Sequence, residues 1–426
     1  MALTETTARR SNAKAGQPPA LSRRLADLRV GIGGPVLLYF LSVMLPISFK
    51  LGPLTMTGTR LVLIVMFLPL MVQLSMGRFG RVLLTDVLFL IHVIWMVVSL
   101  AVNNPSQAIS NAGSTGIEFI GGYALGRAYV RSAEDFSALI RLLAMIALCT
   151  FPFAIYETLT GHAIILDMLA KLPGISSLRD LSIGKRMGLD RVQLVFVHPI
   201  HYGLFCTIAL SLCYIGLKDV YGNGRRLAIS VVVGLSGLLA LSSGALLAIV
   251  MQLILMVWAF MFRNTKKRWL ILLGIFALFY ITVDLLSNRA PLNVFLSYAT
   301  FSPSTAYWRT IIFHWGMINV WANPLFGLGL NDWIRPSYMR SGSMDNFWLL
   351  TAVRYGIPGF LTLAVGYAVA LWKIGRRNFD SDEILWQFRR AWMFSFVGLT
   401  FTICTVHIWH TIYSFVFFMF GAGMWM

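Results

Sequence analysis

The stretch LTDVLFLIHVIWMVVSLAV, residues 84–102, decides the fold class of this chain, because its only charged residue is Asp86. A largely apolar stretch of about 20 residues is long enough to cross a bilayer as one helix. Eleven further stretches have the same character: 31–49, 59–76, 114–130, 137–157, 192–216, 227–242, 244–262, 269–286, 347–372, 391–406 and 410–426. We therefore predict an all-α polytopic membrane protein with about 12 transmembrane helices.

The composition excludes a soluble enzyme. Of the 426 residues, 58% are hydrophobic and 12% are charged, whereas soluble domains are about 25% charged. Lys and Arg number 35 against 17 Asp and Glu, which gives a net charge of +18. A surplus of that size suggests nucleic acid in a soluble chain, but cytoplasmic loops of membrane proteins collect Lys and Arg anyway. We expect a lipid bilayer as the partner and no nucleic acid.

The positions of the basic residues predict the orientation. Residues 1–29 carry six of them and no apolar core, so they are expected to form a basic cytoplasmic tail and not a signal peptide. Residues 30–426 then form a single transmembrane domain, and 23 of the 35 basic residues fall on the cytoplasmic side. Most of the other 12 lie in two long predicted outer loops, 158–191 and 287–346.

These outer loops combine arginines with many aromatic residues. In the loop 287–346, Arg309 follows Tyr307 and Trp308, and Arg335 follows Trp333. Such a mixture suits a surface at the level of the lipid headgroups, with rings in the interface and guanidinium groups on phosphate. The alternative is an ordinary aromatic belt with solvated charges.

Other polar residues give weaker indications. His407 and His410 are spaced for one helix face, but further ligands are missing, so we expect a polar pair at a helix end and no metal site. Glu118 shares a helical face with Gly122 and Gly126, which predicts a packing contact beside a buried carboxylate that needs a partner. That carboxylate could be structural or functional.

Three groups of motifs are informative, in chain order. The first is Arg191 followed by His198-Pro199-Ile200, and the second is the sequence LSSGA at residues 241–245. The third, within residues 304–359, is Arg309, then NPLFGLG at 323–329, then Asp345-Asn346 ahead of GIPG at 356–359. Together they resemble the O-antigen ligase-like and polysaccharide polymerase superfamily of bacterial membrane glycosyltransferases. The His-Pro-Ile segment is similar to the exopolysaccharide polymerase branch.

The resemblance implies a GT-C-like fold in the bacterial inner membrane with an active site that faces the periplasm. It implies an inverting, metal-independent enzyme without a cofactor, which moves an oligosaccharide from undecaprenyl diphosphate to an acceptor sugar. Export or chain-length-control proteins are possible further partners. Transfer to another repeat unit would make the protein a polymerase. Transfer of finished glycan to a different acceptor would make it a ligase, and a lipid-linked sugar transporter is a third alternative.

The residues that match the motifs define a candidate site. Arg191 and Arg309 would hold the diphosphate, because guanidinium forks match phosphate oxygens. Asp345 matches the position of the base, although O-antigen ligases have histidine there, and Asp345-Asn346 also suits a helix N-cap. Ser243 replaces an arginine of many relatives. The remaining candidates are two helper arginines and two fallback bases: Arg186, Arg340, His198 and His314.

Overall fold

The computed structural model describes residues 31–51, 54–172, 176–178, 181, 184–286, 294, 303–339, 341–379 and 381–426. The predicted tail 1–29 and Arg340 lie outside these residues. Almost all regular structure in the described ranges is helical. In chain order the helices are α1 (Gly34–Met44), α2 (Gly58–Ser75), α3 (Leu84–Asn103), α4 (Pro105–Gly116), α5 (Gly122–Tyr129), α6 (Ala133–Thr160), α7 (Ile164–Ala170), α8 (Pro199–Ser211), α9 (Asn223–Leu239), α10 (Ser243–Met261), α11 (Arg268–Leu286), α12 (Pro303–Ala322), α13 (Phe347–Arg376), α14 (Glu383–Ile403) and α15 (Thr411–Gly421).

Two π-helical segments interrupt this pattern. Ile117–Gly121 joins α4 to α5, and Leu212–Gly216 continues α8. Within the described ranges, seven helices are long and apolar enough to cross a membrane: α2, α3, α6, α8 with its π-helical end, α10, α11 and α13. Helices α1 and α15 are apolar but shorter. The all-α polytopic class is confirmed, whereas the predicted number of twelve crossings is not.

Several predicted helix boundaries are wrong for identifiable reasons. The stretch 192–216 becomes helical only at Pro199, because proline suits a first helical turn and His198 caps the helix. Residues 192–198 are irregular although they are apolar. The first predicted span, 31–49, is helical only to Met44 and then enters a strand. The stretch 114–130 belongs to a helical segment that begins at Pro105.

A small antiparallel sheet, which the sequence did not predict, joins the segment after α1 to the segment after α7. It contains β1 (Ile47–Leu51), β2 (Leu54–Thr57) and β3 (Ser176–Ser177) in the order β2-β1-β3. Strand β1 pairs with β2 through Ser48 opposite Thr57, and with β3 through Ile47 opposite Ser177. The sheet therefore fixes part of the segment 158–191 against the bundle.

The C-terminal helix α15 lies in the centre of the core, where every residue from Ile412 to Gly421 is buried. Helix α5 packs directly on it, since a Cβ atom at Gly126 would overlap the carbonyl of Phe418. The predicted glycine contact therefore exists. The nearby carboxylate of Glu118 also has a partner, the Arg60 guanidinium at 2.7 Å.

Candidate active site

A cavity of about 530 Å³ lies at one end of the helix bundle, where four connections meet. These are the segment before α8, the turn between α9 and α10, the segment between α12 and α13, and the loop between α14 and α15. The ionisable residues in the cavity wall are Arg186, Arg191, His198, Arg309, Asp345, Arg354 and His407. Five of the predicted site residues are therefore brought together.

Arg186 and Arg191 are held against the C-terminal end of α9. Nη1 of Arg186 donates to the Leu241 carbonyl at 2.8 Å, and Nε of Arg191 donates to the Ala240 carbonyl at 3.4 Å. A helix C-terminus carries partial negative charge and attracts cations. Desolvation and, to a smaller extent, the charge of Arg186 lower the pKa of Arg191 to about 10. Arg191 therefore stays cationic at neutral pH.

A buried carboxylate holds the segment that carries Arg191. Glu157, near the end of α6, accepts hydrogen bonds from the backbone N–H of Gln193 at 2.6 Å and of Leu194 at 3.0 Å. Leu194 has a φ of 50°, in the left-handed region that non-glycine residues rarely adopt. The two charge-assisted hydrogen bonds stabilise this unusual backbone and thereby position the arginine.

Arg309, on α12, is buried, with 9% of its surface exposed. Its Nε and Nη1 atoms have no hydrogen-bond partner among the described residues. Desolvation lowers the pKa of its guanidinium to about 10, while the charge of Asp345 raises it and that of Arg186 lowers it. Because buried donors are almost always paired in folded proteins, two unpaired N–H groups on one cationic fork indicate a site for an anionic ligand.

Asp345 and its neighbour have separate roles. The side chain of Asn346 accepts a hydrogen bond from the Leu349 N–H at 3.0 Å and so caps α13. Asp345 lines the cavity, is exposed, and accepts a hydrogen bond from the Ser343 hydroxyl at 2.8 Å. Of the two residues that suit an N-cap by sequence, Asn346 makes the cap. The Asp345 carboxylate is thus left to face the cavity.

His198 also lines the cavity, but its geometry makes it a donor and not a base. Its Nδ1 accepts a hydrogen bond from the Ile200 N–H at 3.1 Å, so the ring proton lies on Nε2. Desolvation and, to a smaller extent, the charges of Arg191 and Arg186 lower the pKa of His198 to about 4. At neutral pH the ring is therefore uncharged and can donate one hydrogen bond through Nε2.

The structure places the other predicted base, His314, outside the cavity. Its ring is exposed on α12 and packs edge-on against Trp315, with the ring centroids 6.2 Å apart. Arg309 lies five residues earlier on the same helix and faces the cavity. The helper Arg340 is in the same loop as Asp345 but is not among the described residues.

The NPLFGLG motif supports the site without lining it. The N–H groups of Leu328 and Gly329 donate to the carbonyls of Val353 and Arg354, at 2.8 and 2.9 Å. These bonds hold α13 where its helical geometry breaks, at Gly356, which has a φ of 71°. A Cβ atom at Gly356 would overlap the Leu325 carbonyl, so only glycine fits this contact.

Arg354 is a functional candidate that the sequence analysis missed. It lies within the apolar stretch 347–372, two residues before the break at Gly356, and it lines the cavity. An arginine inside a predicted span was a usable indication, because ionisable residues in spans are expensive and frequently functional.

The loop between α14 and α15 supplies two more wall residues: His407, which the sequence predicted only as part of a polar pair with His410, and Trp409, which was missed. The Nδ1 atom of His407 is buried without a hydrogen-bond partner in the described part of the chain. Desolvation and, to a smaller extent, the charges of Arg354 and His410 lower the pKa of His407 to about 3. The Trp409 ring lies 5.5 Å from that of His407 and 4.1 Å from that of His201.

A second cavity of about 470 Å³ lies on the other side of this loop, where His410 and Thr411 form part of its wall. Much of the remaining wall consists of hydroxyl and amide side chains, including Asn111 and Ser114 on α4. Its arginine, Arg60, is engaged by Glu118 and by Nδ1 of His410. This cavity is therefore polar but much less cationic than the first.

The charges in the first cavity favour an anion. Its described wall has four arginines, Arg186, Arg191, Arg309 and Arg354, and one carboxylate, Asp345. The N-terminus of α10, at Ser242 and Ser243, lies in the same wall and adds partial positive charge. Such a site can bind a diphosphate and can supply one carboxylate as a base.

The comparisons agree with this description. The family model described as O-antigen ligase matches residues 228–364. This range runs from α9 into α13 and includes three ionisable cavity residues, Arg309, Asp345 and Arg354. No curated protein sequence matches the chain significantly. The resemblance seen in the motifs is thus confirmed for residues 228–364, which are similar to the O-antigen ligase family.

Proposed function

We propose that this protein is a glycosyltransferase that polymerises undecaprenyl-diphosphate-linked oligosaccharide repeat units at the periplasmic face of the bacterial inner membrane. The observation that carries the proposal is Arg309, a buried guanidinium with two donor atoms that lack a partner among the described residues, in a cavity whose described wall has four arginines and one carboxylate. A membrane protein with such a cavity suits a substrate that is both lipid-linked and anionic.

The donor diphosphate occupies the arginine side of the cavity. Arg309 offers two donor atoms that lack a partner among the described residues, Nε and Nη1, and each can bind a phosphate oxygen. Arg191 and Arg186 approach from the α9 end, and the N-terminus of α10 adds backbone N–H groups. The excess of positive charge in the described wall offsets the cost of moving a diphosphate out of water.

The transfer step follows from this placement. The oxygen of an acceptor sugar hydroxyl forms a bond to the anomeric carbon of the donor while the bond from that carbon to the diphosphate oxygen breaks. Asp345 takes the hydroxyl proton, and the electron pair of the broken bond leaves with the diphosphate. Attack opposite the leaving group inverts the anomeric centre. The guanidinium groups stabilise the charge that develops on the leaving group, which supports a reaction without a metal ion.

The distribution of charge supports the periplasmic orientation. The cavity lies where α9 ends and α10 begins, whereas Arg226 and the loop residues Lys266 and Lys267 lie at the opposite ends of these helices. The end of the bundle that is opposite the cavity also carries Arg376 and Arg377, at the C-terminal end of α13. Because Lys and Arg concentrate on the cytoplasmic side, the cavity end faces outward.

A ligase is the second candidate, and the description of the matching family favours it. It would use the same donor site and the same base, and it would differ in the acceptor. The second, hydroxyl-lined cavity gives either enzyme room for a glycan beside the diphosphate site.

The test uses Arg309→Ala in cells that lack the native gene, with His314→Ala as the matched control. His314 is on the same helix but outside the cavity. We expect Arg309→Ala to be inserted normally, to form polymer at least about a hundredfold more slowly, and to accumulate lipid-linked single repeat units. The control is expected to form normal polymer. Polymer of normal length and amount in Arg309→Ala would refute the site, and accumulation of lipid-linked long chains in both knockout and variant would identify a ligase.

A further inference from the structure

A second cluster of arginines lies at the end of the bundle opposite the cavity. Arg226 is in the first turn of α9, Arg268 begins α11, and Arg390 is in the first third of α14. Helices α9 and α14 both end at the cavity, so their first turns are at the other membrane surface. The proposed transfer reaction has no use for these residues.

Aromatic rings hold the three guanidinium groups in place. The guanidinium carbon of Arg390 lies 4.4 Å from the centre of the Trp386 ring, and that of Arg268 lies 6.0 Å from the same ring. Arg226 lies 4.9 Å from the Tyr214 ring and donates to the Tyr214 carbonyl. Arg226 also donates to Asn223 Oδ1 at 2.8 Å, and Nη1 of Arg268 donates to the Arg263 carbonyl at 3.2 Å and to the Phe262 carbonyl at 3.5 Å. Together with the cation–π contacts, these hydrogen bonds fix the positions of the cations.

The cluster contains buried donors without acceptors. The Nε atoms of Arg226 and Arg390 are buried and have no hydrogen-bond partner among the described residues. The pKa of Arg390 is lowered to about 10, mainly by desolvation and also by the charges of Arg268 and Arg226. Arginines that serve only to set the membrane orientation can remain solvated, so two buried donors in a group of three half-buried, mutually repelling cations require a further reason.

Acidic side chains on the neighbouring elements do not neutralise the charge of these arginines. Glu383, the closest acid on α14, pairs with Lys218 at 2.6 Å. Asp219, beside Lys218, is half-buried and lies within electrostatic reach of Arg226. With both acids counted, the group of Lys218, Arg226, Arg268 and Arg390 keeps an excess of positive charge.

We propose that Arg226, Arg268 and Arg390 bind the phosphate of an anionic phospholipid from the cytoplasmic leaflet, between the N-terminal ends of α9, α11 and α14. A lipid phosphodiester carries negative charge at the depth of these helix ends. Basic pockets between transmembrane helices on the cytoplasmic side are suited to such headgroups. Trp386 supplies the interfacial ring at that level. The apolar helix α11, none of whose residues is buried, lies next to the site and offers a surface for the acyl chains.

The test measures lipids bound to the purified full-length protein by native mass spectrometry, after reconstitution in nanodiscs of equal phosphatidylglycerol and phosphatidylcholine. The test variant is Arg268→Ala with Arg390→Ala. The control removes the same charge from the adjacent loop through Lys266→Ala with Lys267→Ala, two exposed residues. We expect the wild type and the lysine control to retain phosphatidylglycerol preferentially, and the arginine variant to lose about tenfold in that preference.

Equal preference in all three proteins, or an equal loss in both variants, would overturn the proposal. Displacement of the lipid by millimolar inorganic phosphate would also overturn it, since the site would then take free phosphate. Arg390→Lys keeps the charge without the fork and provides a folded variant for which an intermediate preference is expected. This lipid measurement does not depend on the proposed reaction. Arg309→Ala, which should lose activity, is expected to retain phosphatidylglycerol as the wild type does.

Discussion

Asp345→Asn separates the two roles that the sequence assigned to one dipeptide. The substitution keeps the size and polarity of the side chain but removes the carboxylate that would accept the proton. The structure gives the helix cap to Asn346, and Asp345 is exposed with one hydrogen bond, from Ser343. The free energy of unfolding should therefore fall by about 1 kcal/mol or less.

The effect on the reaction should be much larger. A positioned general base contributes about 10²–10⁴ in rate, so the rate of Asp345→Asn is expected to fall by at least about a hundredfold. The assay follows consumption of a lipid-linked oligosaccharide by the purified protein in nanodiscs, at saturating donor. Thermal unfolding of the same samples gives the stability.

The matched control is Asn346→Ala, which removes the cap. It should lower the free energy of unfolding by about 1 kcal/mol while the folded fraction keeps most of its activity. Full activity in Asp345→Asn would refute the assignment of the base. A loss of activity in both variants, in proportion to unfolding, would show that the segment acts only through the stability of α13.

Three further predictions follow from the geometry. Gly356→Ala places a side chain at a φ of 71° against a neighbouring carbonyl, so it should cost at least about 1–3 kcal/mol of stability, measured by thermal unfolding. The control is Gly274→Ala, where no atom lies within 4 Å of the added Cβ, and it should leave stability nearly unchanged. Equal stability of the two variants would contradict the requirement for glycine at position 356. Glu157→Gln weakens the hydrogen bonds to the backbone of the segment that carries Arg191, so KM for the donor should rise several-fold while kcat changes less. An unchanged KM would show that the segment keeps its conformation without this charge. Because the pKa of His198 is lowered to about 4, the pH–rate profile should have no inflection near pH 6.5. An inflection at that pH which disappears in His198→Ala would identify His198 as the base.

The pH dependence of stability has a definite sign. His198 and His407 have folded-state pKa values of about 4 and about 3, below the ordinary histidine value of about 6.5. The unfolded chain therefore binds more protons below about pH 6.5, so stability is lost as the pH falls from there through about 4. An increase in melting temperature over this range on acidification would contradict the burial of these rings.

The sequence predicted most of the fold because each membrane crossing is a local property. A run such as residues 84–102 has to be a helix in a bilayer whatever its neighbours are. The exception, residues 192–198, depends on distant partners. That segment is as apolar as a span, but Glu157 from another helix binds its backbone N–H groups, and Pro199 sets the helix start.

The site was predictable only where a motif named its residues. Arg191, Arg309 and Asp345 were found through motif positions, and the structure brings them to one cavity. Arg354 and His407 come from an apolar span and from a short loop, and their place in the cavity depends on how α13 breaks and how α14 and α15 are joined. No spacing along the chain contains that information.

The central claim is that the cavity holds a lipid-linked diphosphate and that the protein extends the glycan attached to it. The most direct measurement adds the purified protein in liposomes to an undecaprenyl-diphosphate-linked repeat unit, and follows glycan length and free undecaprenyl diphosphate by mass spectrometry. We predict a ladder of longer lipid-linked glycans, with one undecaprenyl diphosphate released for each unit added, and no ladder with Arg309→Ala. Movement of the intact donor across the bilayer without any elongation or release would contradict the account.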